Sequence, residues 1–129
     1  FQAVSMTQPL ALVLYEKLLP GSMLVNRLQD LGYRVLTAPD GQALMACAEQ
    51  EKPMLVLVDL VSQHVRVPEV IAKLKANPAT NHLPVIAFAD EKEPALQESA
   101  RTAGATVVVS DAAILSHLEQ FLERALHLD

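Results

Sequence analysis

The chain has 129 residues, of which 51% are apolar and 19% are charged. This length suits one domain with a continuous core, and this composition excludes a disordered or a fibrous protein. The formal net charge of -5, without a run of Lys or Arg, excludes the basic footprint of a nucleic-acid-binding protein and suits a protein partner better.

The amino terminus, the lack of long apolar stretches and the single cysteine indicate the cellular location. We interpret residues 1–5, which precede Met6, as a vector remnant, so that a single natural domain spans 6–129. No stretch has the length and apolar character to cross a bilayer, and the amino terminus lacks the order of a signal peptide. Cys47 is the only cysteine, and its Ala-rich surroundings predict a small buried side chain. A cytoplasmic protein is expected.

Strands and helices alternate along the chain. Short apolar runs predict strands at 10–14, 33–37, 54–58, 83–89 and 106–109. Helical spacing of apolar residues predicts a helix after each strand, at about 22–31, 42–50, 68–76, 94–103 and 112–128. Because Pro20 and Gly21 precede the first of these helices, Ser22 is its predicted N-cap. Five such repeats predict an α/β fold, a doubly wound five-stranded parallel sheet of the flavodoxin-like type.

Asp59 is the residue that most needs a functional explanation. It directly follows the apolar run 54–58, which is typical of a strand buried on both faces. In an open parallel sheet, binding and chemistry are usually located at the carboxyl ends of the strands. The alternative is that Asp59 only caps the following loop.

Other patterns are weaker. The four histidines, at 64, 82, 117 and 127, lack the spacing of metal ligands. The chain has four glycines and no Gly-rich loop after the first strand, which disfavours nucleotide and flavin binding. No pattern of nucleophile and base is present, so we do not expect an enzyme.

With these elements in place, the sequence resembles the receiver domain of bacterial response regulators. The resemblance covers 10–126 and is carried by the phrases LGYRVLTAPDG at 31–41, EKPMLVLVDL at 51–60, LPVIAFA at 83–89 and AGA at 103–105. Their order and spacing are those of the family. The resemblance implies the receiver fold and a role in two-component signal transduction.

The resemblance also implies where functional residues should lie. Receivers have an acidic pair for Mg²⁺ after the first strand, a phosphoacceptor aspartate after the third, a hydroxyl after the fourth and a lysine after the fifth. These positions fall on Tyr15 and Glu16, on Asp59, on Ala89 and on Asp111. The aromatic switch position falls on Val108, and the proline after the lysine is Ala112. Only Glu16 and Asp59 keep the family's residue type.

These departures predict weak phosphoryl chemistry. Phosphoryl transfer needs cations around the transferring group, but the lysine position carries Asp111. Loss of an acid at Tyr15 weakens the Mg²⁺ site, so we expect no cofactor and at most weak Mg²⁺ binding. Glu16, Asp59 and Asp111 could instead form an oxygen cage for a divalent ion. The interpretation that we favour is that Asp111 turns outward and caps the last helix.

Two sets of residues complete the prediction. Lys17, Arg66 and Lys92 are predicted in loops at the same end of the sheet as Asp59 and are candidate substitute cations, Lys17 being the best of them, although solvated loop charges are the simpler interpretation. The last helix has a wide apolar arc that includes Leu115, Leu126 and Leu128. In receivers the fourth helix, fifth strand and fifth helix commonly form a dimer or partner face, so we expect a homodimer or partner contact there. Val61, Val65 and Val67 are a second candidate surface, in the loop 60–67.

The sequence therefore predicts a degenerate receiver, a pseudo-receiver that acts by protein contact without aspartyl phosphorylation. The partner would be a regulatory or output domain, or a histidine kinase. One alternative is a working phosphoacceptor that uses Asp59 with a substitute cation. Another is a small flavodoxin-like protein that binds a metabolite or a metal.

Overall fold

The computed structural model describes residues 9–15, 18–61 and 66–126, and for residues 18–20 only the backbone. The strands are β1 (Leu10–Leu14), β2 (Arg34–Ala38), β3 (Leu55–Asp59), β4 (Val85–Ala89) and β5 (Val107–Ser110). The helices are α1 (Leu18–Asp30), α2 (Gly41–Glu51), α3 (Val67–Ala76), α4 (Pro94–Ala103), α5 (Asp111–Ser116) and α6 (Leu118–Leu126). None of the helices in these ranges has the length and apolar composition needed to cross a membrane.

The five strands form one parallel sheet in the order β2-β1-β3-β4-β5. This confirms the predicted doubly wound flavodoxin-like topology. The direction of winding reverses between β1 and β3, and in such sheets the crevice at the carboxyl ends of those two strands is the usual binding position.

The core lies on both faces of the sheet, which explains why the central strands are apolar without alternation. Leu12 and Val56 face α2, α3 and α4, whereas Val13 and Leu57 face α1, α5 and α6. All four side chains are essentially inaccessible to solvent. Cys47 is half-buried and packs at the margin of the apolar cluster on the α2, α3 and α4 face, so it is less buried than predicted.

The first helix begins earlier than the sequence predicted. Helix α1 begins at Leu18, and Pro20 is its third residue, so the prediction of a start at Ser22 was wrong. Proline is tolerated there because the first four N–H groups of a helix have no partner within the helix. Gly21 and Ser22 are therefore helical residues and not part of a loop.

The last predicted helix is divided in two at His117. The backbone of His117 leaves the helical region, with φ -127° and ψ 33°, and its ring lies edge-on to Phe121. Nothing in the local sequence explains the break, since neither Pro nor Gly is present. The buried stripe nevertheless continues through Ile114, Leu118 and Leu122, so both short helices cover the same face of the sheet.

Candidate functional site

Asp59 lies at the carboxyl end of β3, at the reversal of the strand order. It is 4% exposed, and its Oδ1 accepts a hydrogen bond from the backbone N–H of Val61 at 3.0 Å. The strand extends one residue further than predicted and ends at Asp59 itself. The loop-capping role considered from the sequence is thus present, in a carboxylate that also lies where such sheets bind ligands.

The register of the sheet brings the predicted positions to one edge. Leu14 pairs with Val58, Asp59 pairs with Phe88, and Ala89 pairs with Ser110. The residues that follow or end these strands therefore lie at the same edge as Asp59, and they are Tyr15, Ala89 and Asp111. Glu16 and Lys17, the other predicted residues after β1, lie outside the described residues.

Tyr15 stands at the position of the first acid in the resemblance, and its ring packs against helix α1. A Cβ atom added to Gly21 would overlap this ring, which contacts the cluster on the α1 face of the sheet. The side chain at this position is thus an aromatic ring held by packing.

The two positions that would carry a phosphorylation signal are aliphatic. Ala89 is fully buried at the end of β4 and supplies a methyl group in place of a hydroxyl. Val108 is half-buried in β5 and packs against the cluster on the α2, α3 and α4 face. Neither side chain can form the hydrogen bond or make the ring movement that the resemblance associates with these positions.

The prediction that Asp111 caps the last helix was wrong. Ser110 is the N-cap of α5, because its backbone is extended and its Oγ accepts a hydrogen bond from the N–H of Ala113 at 3.1 Å. Asp111 is the first residue of the helix and is half-buried. Its carboxylate still benefits from the helix dipole, which favours acids in the first turn. The lysine position of the resemblance is therefore a helical acid beside a serine cap.

The described candidate cations lie in exposed positions. The side chain of Arg66 is 85% exposed, and its Nη1 lies 3.4 Å from Oε2 of Glu69 in the same helical turn. Lys92 is exposed in the loop between β4 and α4. A role for either as a substitute cation stays a prediction.

The described donors do not fit a Mg²⁺ site. Hard cations need several oxygen ligands, but the packed ring of Tyr15 and the methyl group of Ala89 flank Asp59 in the sheet. In the part of the chain that the structure describes, no three His, Cys, Asp or Glu side chains are grouped so that they could hold a metal. The oxygen cage that includes Glu16 stays a prediction, because Glu16 lies outside the described residues.

The candidate contact surfaces are more buried than the sequence suggested. Leu115 and Leu126 are half-buried and contact the cluster on the α1 face, while Leu128 lies outside the described residues. Val67 is 1% exposed, so its predicted place in a binding surface was wrong, and Val65 is outside the described residues. Val61 and Arg66 line a cavity of about 360 Å³ between the start of α3 and Leu96 of α4.

One residue of this region was missed from the sequence. Gln97 of α4 donates a hydrogen bond from Nε2 to the carbonyl oxygen of Ala89 at 3.3 Å. No sequence signal indicates such a contact, because it joins residues eight positions apart through the turn of the chain between β4 and α4. The Ser110 cap, in contrast, had a signal, since Ser before a helix is a preferred N-cap.

Comparisons in sequence find no relative. No family model matches the chain, and no curated protein matches it.

Comparison with solved structures finds many similar folds. A protein of Chloroflexus aurantiacus named as a response regulator has a TM-score of 0.85 at 17% identity, with 93% of this chain and 98% of that chain covered. The receiver domain of NtrX from Brucella abortus has a TM-score of 0.82 at 23% identity, with 92% and 99% covered. The receiver domain of a sensor histidine kinase of Pseudomonas aeruginosa, with magnesium in its active site cleft, has a TM-score of 0.83 at 19% identity, with 93% and 98% covered. The chain therefore has the receiver fold.

Proposed function

We propose that the chain is a receiver-like signalling domain of a two-component-type regulatory protein, and that it acts by protein contact without phosphorylation of Asp59. The observation that carries the proposal is the identity of Asp111, an acid at the first position of α5 where phosphorylated receivers need a cation. The receiver fold supports the first half of the proposal, and the chemistry of the strand ends supports the second.

Electrostatics disfavour a phosphoryl group on Asp59. The transferred group carries negative charge on its outer oxygens, which metal and fixed cations must stabilise. Two unit charges a few ångströms apart interact by about 4 kcal/mol at an effective dielectric constant near 20. Where a lysine would supply this energy as attraction, Asp111 supplies repulsion.

The rest of the edge would not transmit such a modification. Ala89 and Val108 lack the hydroxyl and the aromatic ring through which the resemblance implies a response. Modification of Asp59 would therefore not reach the surface of α4 and β5 through either of these two positions. A domain of this kind acts as a preformed surface and not as an enzyme.

The partner is proposed to be a protein, either a regulatory or output domain or a histidine kinase. The similar structures include a receiver from NtrX and one from a sensor histidine kinase. The surface formed by α4, β5 and the two last helices is the proposed contact face, either for such a partner or for a homodimer. A cytoplasmic location is part of the proposal.

The test is the reaction of the chain with small phosphoryl donors. The protein is incubated with acetyl phosphate and Mg²⁺, or with beryllofluoride and Mg²⁺, and followed by intact mass and by NMR shifts. We expect no added phosphoryl group and no shifts around Asp59, with a receiver domain that accepts phosphoryl groups treated in parallel to check the reagents. Mg²⁺-dependent modification that is lost in Asp59→Asn would overturn the proposal and favour the phosphoacceptor.

The alternative of a working phosphoacceptor has one observation in its favour. Arg66 lines the cavity that opens beside Leu60 and Val61, the two residues after Asp59. If Arg66 supplied the cation, Arg66→Gln would remove any modification of Asp59, whereas Arg101→Gln, at a similar exposed ion pair on α4, would not.

A further inference from the structure

Helix α4 is tied to the end of β4 by a side chain. Gln97, in the first turn of α4, donates from Nε2 to the carbonyl oxygen of Ala89 at 3.3 Å. Gln97 is half-buried, and Ala89 is fully buried. The carbonyl that accepts this bond belongs to the residue that stands where the receiver resemblance calls for a hydroxyl.

The loop between β4 and α4 is closed by further hydrogen bonds. Oδ1 of Asp90 accepts from the N–H of Lys92 at 2.8 Å, and the carbonyl oxygen of Asp90 accepts from the N–H of Glu93 at 2.9 Å. The carbonyl oxygen of Glu93 in turn accepts from the N–H of Gln97 at 3.2 Å. The Gln97 side chain closes this set of bonds back onto the strand.

The remainder of α4 is held by packing. Leu96 contacts the cluster on the α2, α3 and α4 face, and Ala100 is fully buried in it. These apolar contacts fix the distance of α4 from the sheet but are not directional. The Gln97 hydrogen bond is directional and joins the first turn of α4 to the end of β4.

We propose that Gln97 is a positioning residue that holds α4 and the preceding loop in one arrangement, so that the α4 surface is preset and does not depend on the state of Asp59. We call the hydrogen bond from Gln97 to Ala89 the latch. The role of the latch in signalling rests on the proposed function, whereas its effect on the position of α4 does not. A hydroxyl that moved to bind a phosphoryl group would shift this loop. In this chain the loop is instead tied to an alanine carbonyl.

The test compares amide hydrogen exchange, measured by NMR, in the wild-type protein and two variants. Gln97→Met keeps the length of the side chain and removes the donor, and Gln97→Glu replaces the donor with an acceptor. We expect exchange at Lys92, Glu93 and Gln97 to accelerate about three- to tenfold, as loss of one hydrogen bond would give. Amides of β1 and β3 should not accelerate to the same extent. Gln50→Glu, exposed on α2, is the charge-matched control and should leave the loop unchanged.

The outcomes separate a latch from a general contribution to stability. Acceleration confined to residues 90–97 supports the latch. Unchanged exchange there, or equal acceleration at all protected amides, would overturn it. This result is independent of the phosphoryl-donor experiment. A chain that accepts a phosphoryl group would contradict the proposed function, but the effect of the Gln97 variants on amide exchange would still stand.

Discussion

The ring of Tyr15 occupies the space that a side chain on residue 21 would need. Gly21 lies in the first turns of α1, and a Cβ atom added there would overlap three atoms of the ring. Tyr15, which stands where the receiver resemblance has an acid, is thus accommodated by a glycine on the neighbouring helix. The ring at position 15 and the absence of a side chain at position 21 form one packing arrangement.

This arrangement predicts the sign of the effect of Gly21→Ala. In an exposed helix, alanine in place of glycine stabilises by about 1 kcal/mol. Here the added methyl group would displace a packed ring, and overpacking of this kind typically costs about 1–3 kcal/mol. We expect a lower free energy of unfolding for Gly21→Ala, measured by urea denaturation.

The double variant provides the control. With Tyr15→Ala the obstructing ring is gone, so adding Gly21→Ala to this background should be neutral or stabilising. If Gly21→Ala stabilised the wild-type protein, the ring would not occupy the space that we assign to it.

The cap of α5 makes a second prediction. Ser110→Ala removes the acceptor for the N–H of Ala113 and should cost about 1 kcal/mol of stability, the usual effect of losing an N-cap. Ser99→Ala, exposed within α4, should have little effect or stabilise slightly. Equal effects of the two substitutions on the urea midpoint would show that Ser110 does not cap the helix.

The sheet and its central residue were predictable from the sequence, because buried parallel strands leave unbroken apolar runs. The runs at β1, β3 and β4 each predicted a strand, and the run at β3 predicted that Asp59 lies at the carboxyl end of that strand. The start of α1 was not predictable by the same means, since Pro20 and Gly21 are typical of loops and are tolerated here for reasons of position and packing. The Gln97 contact depends on how α4 docks on β4, and a local pattern carries no information about that.

Alkaline pH should reveal two half-buried groups, Tyr33 and Lys75, that change stability in opposite directions. Burial raises the pKa of Tyr33 above 10.0, so the unfolded chain releases this proton first and stability falls as pH rises past that value. Burial lowers the pKa of Lys75 below 10.5, so the unfolded chain holds more protons just below that value and stability rises with pH there.

Single substitutions separate these two contributions. In Tyr33→Phe the free energy of unfolding should rise more steeply with pH toward pH 10.5 than in the wild type. In Lys75→Met it should fall more steeply above pH 10.0. The measurement is the free energy of unfolding in urea from pH 8 to 11. Parallel profiles for the wild type and both variants would contradict the two assignments.

Gly104 is expected to be more sensitive to substitution than Gly32. Both have positive φ, at 114° and 94°, which costs a residue with a side chain about 1–2 kcal/mol. A Cβ atom at 104 would also lie 2.9 Å from Cγ of Lys75, whereas at 32 it would have no neighbour within 4 Å among the described residues. Gly104→Ala should therefore lower the free energy of unfolding more than Gly32→Ala. The difference should shrink in a Lys75→Ala background, and its persistence there would mean that the contact with Lys75 is not its source.

Adding the cation and the hydroxyl that the receiver resemblance places at positions 111 and 89 should give the chain affinity for a phosphoryl mimic. The variant with Ala89→Ser and Asp111→Lys places a small donor at the end of β4 and a cation at the start of α5, where the wild-type chain has a methyl group and an acid. The substitution at position 111 turns repulsion of the bound anion into attraction, and each such interaction amounts to about 4 kcal/mol before screening by salt. We therefore expect beryllofluoride with Mg²⁺ to bind this variant at least about tenfold more tightly than it binds the wild-type chain. NMR titration measures the binding, Asp59→Asn in the same background should abolish it, and Asp111→Asn alone should give an intermediate response or none. A folded double variant that responds no better than the wild type would show that the charge at position 111 is not what prevents phosphoryl binding, and the proposed function would lose the observation on which it rests.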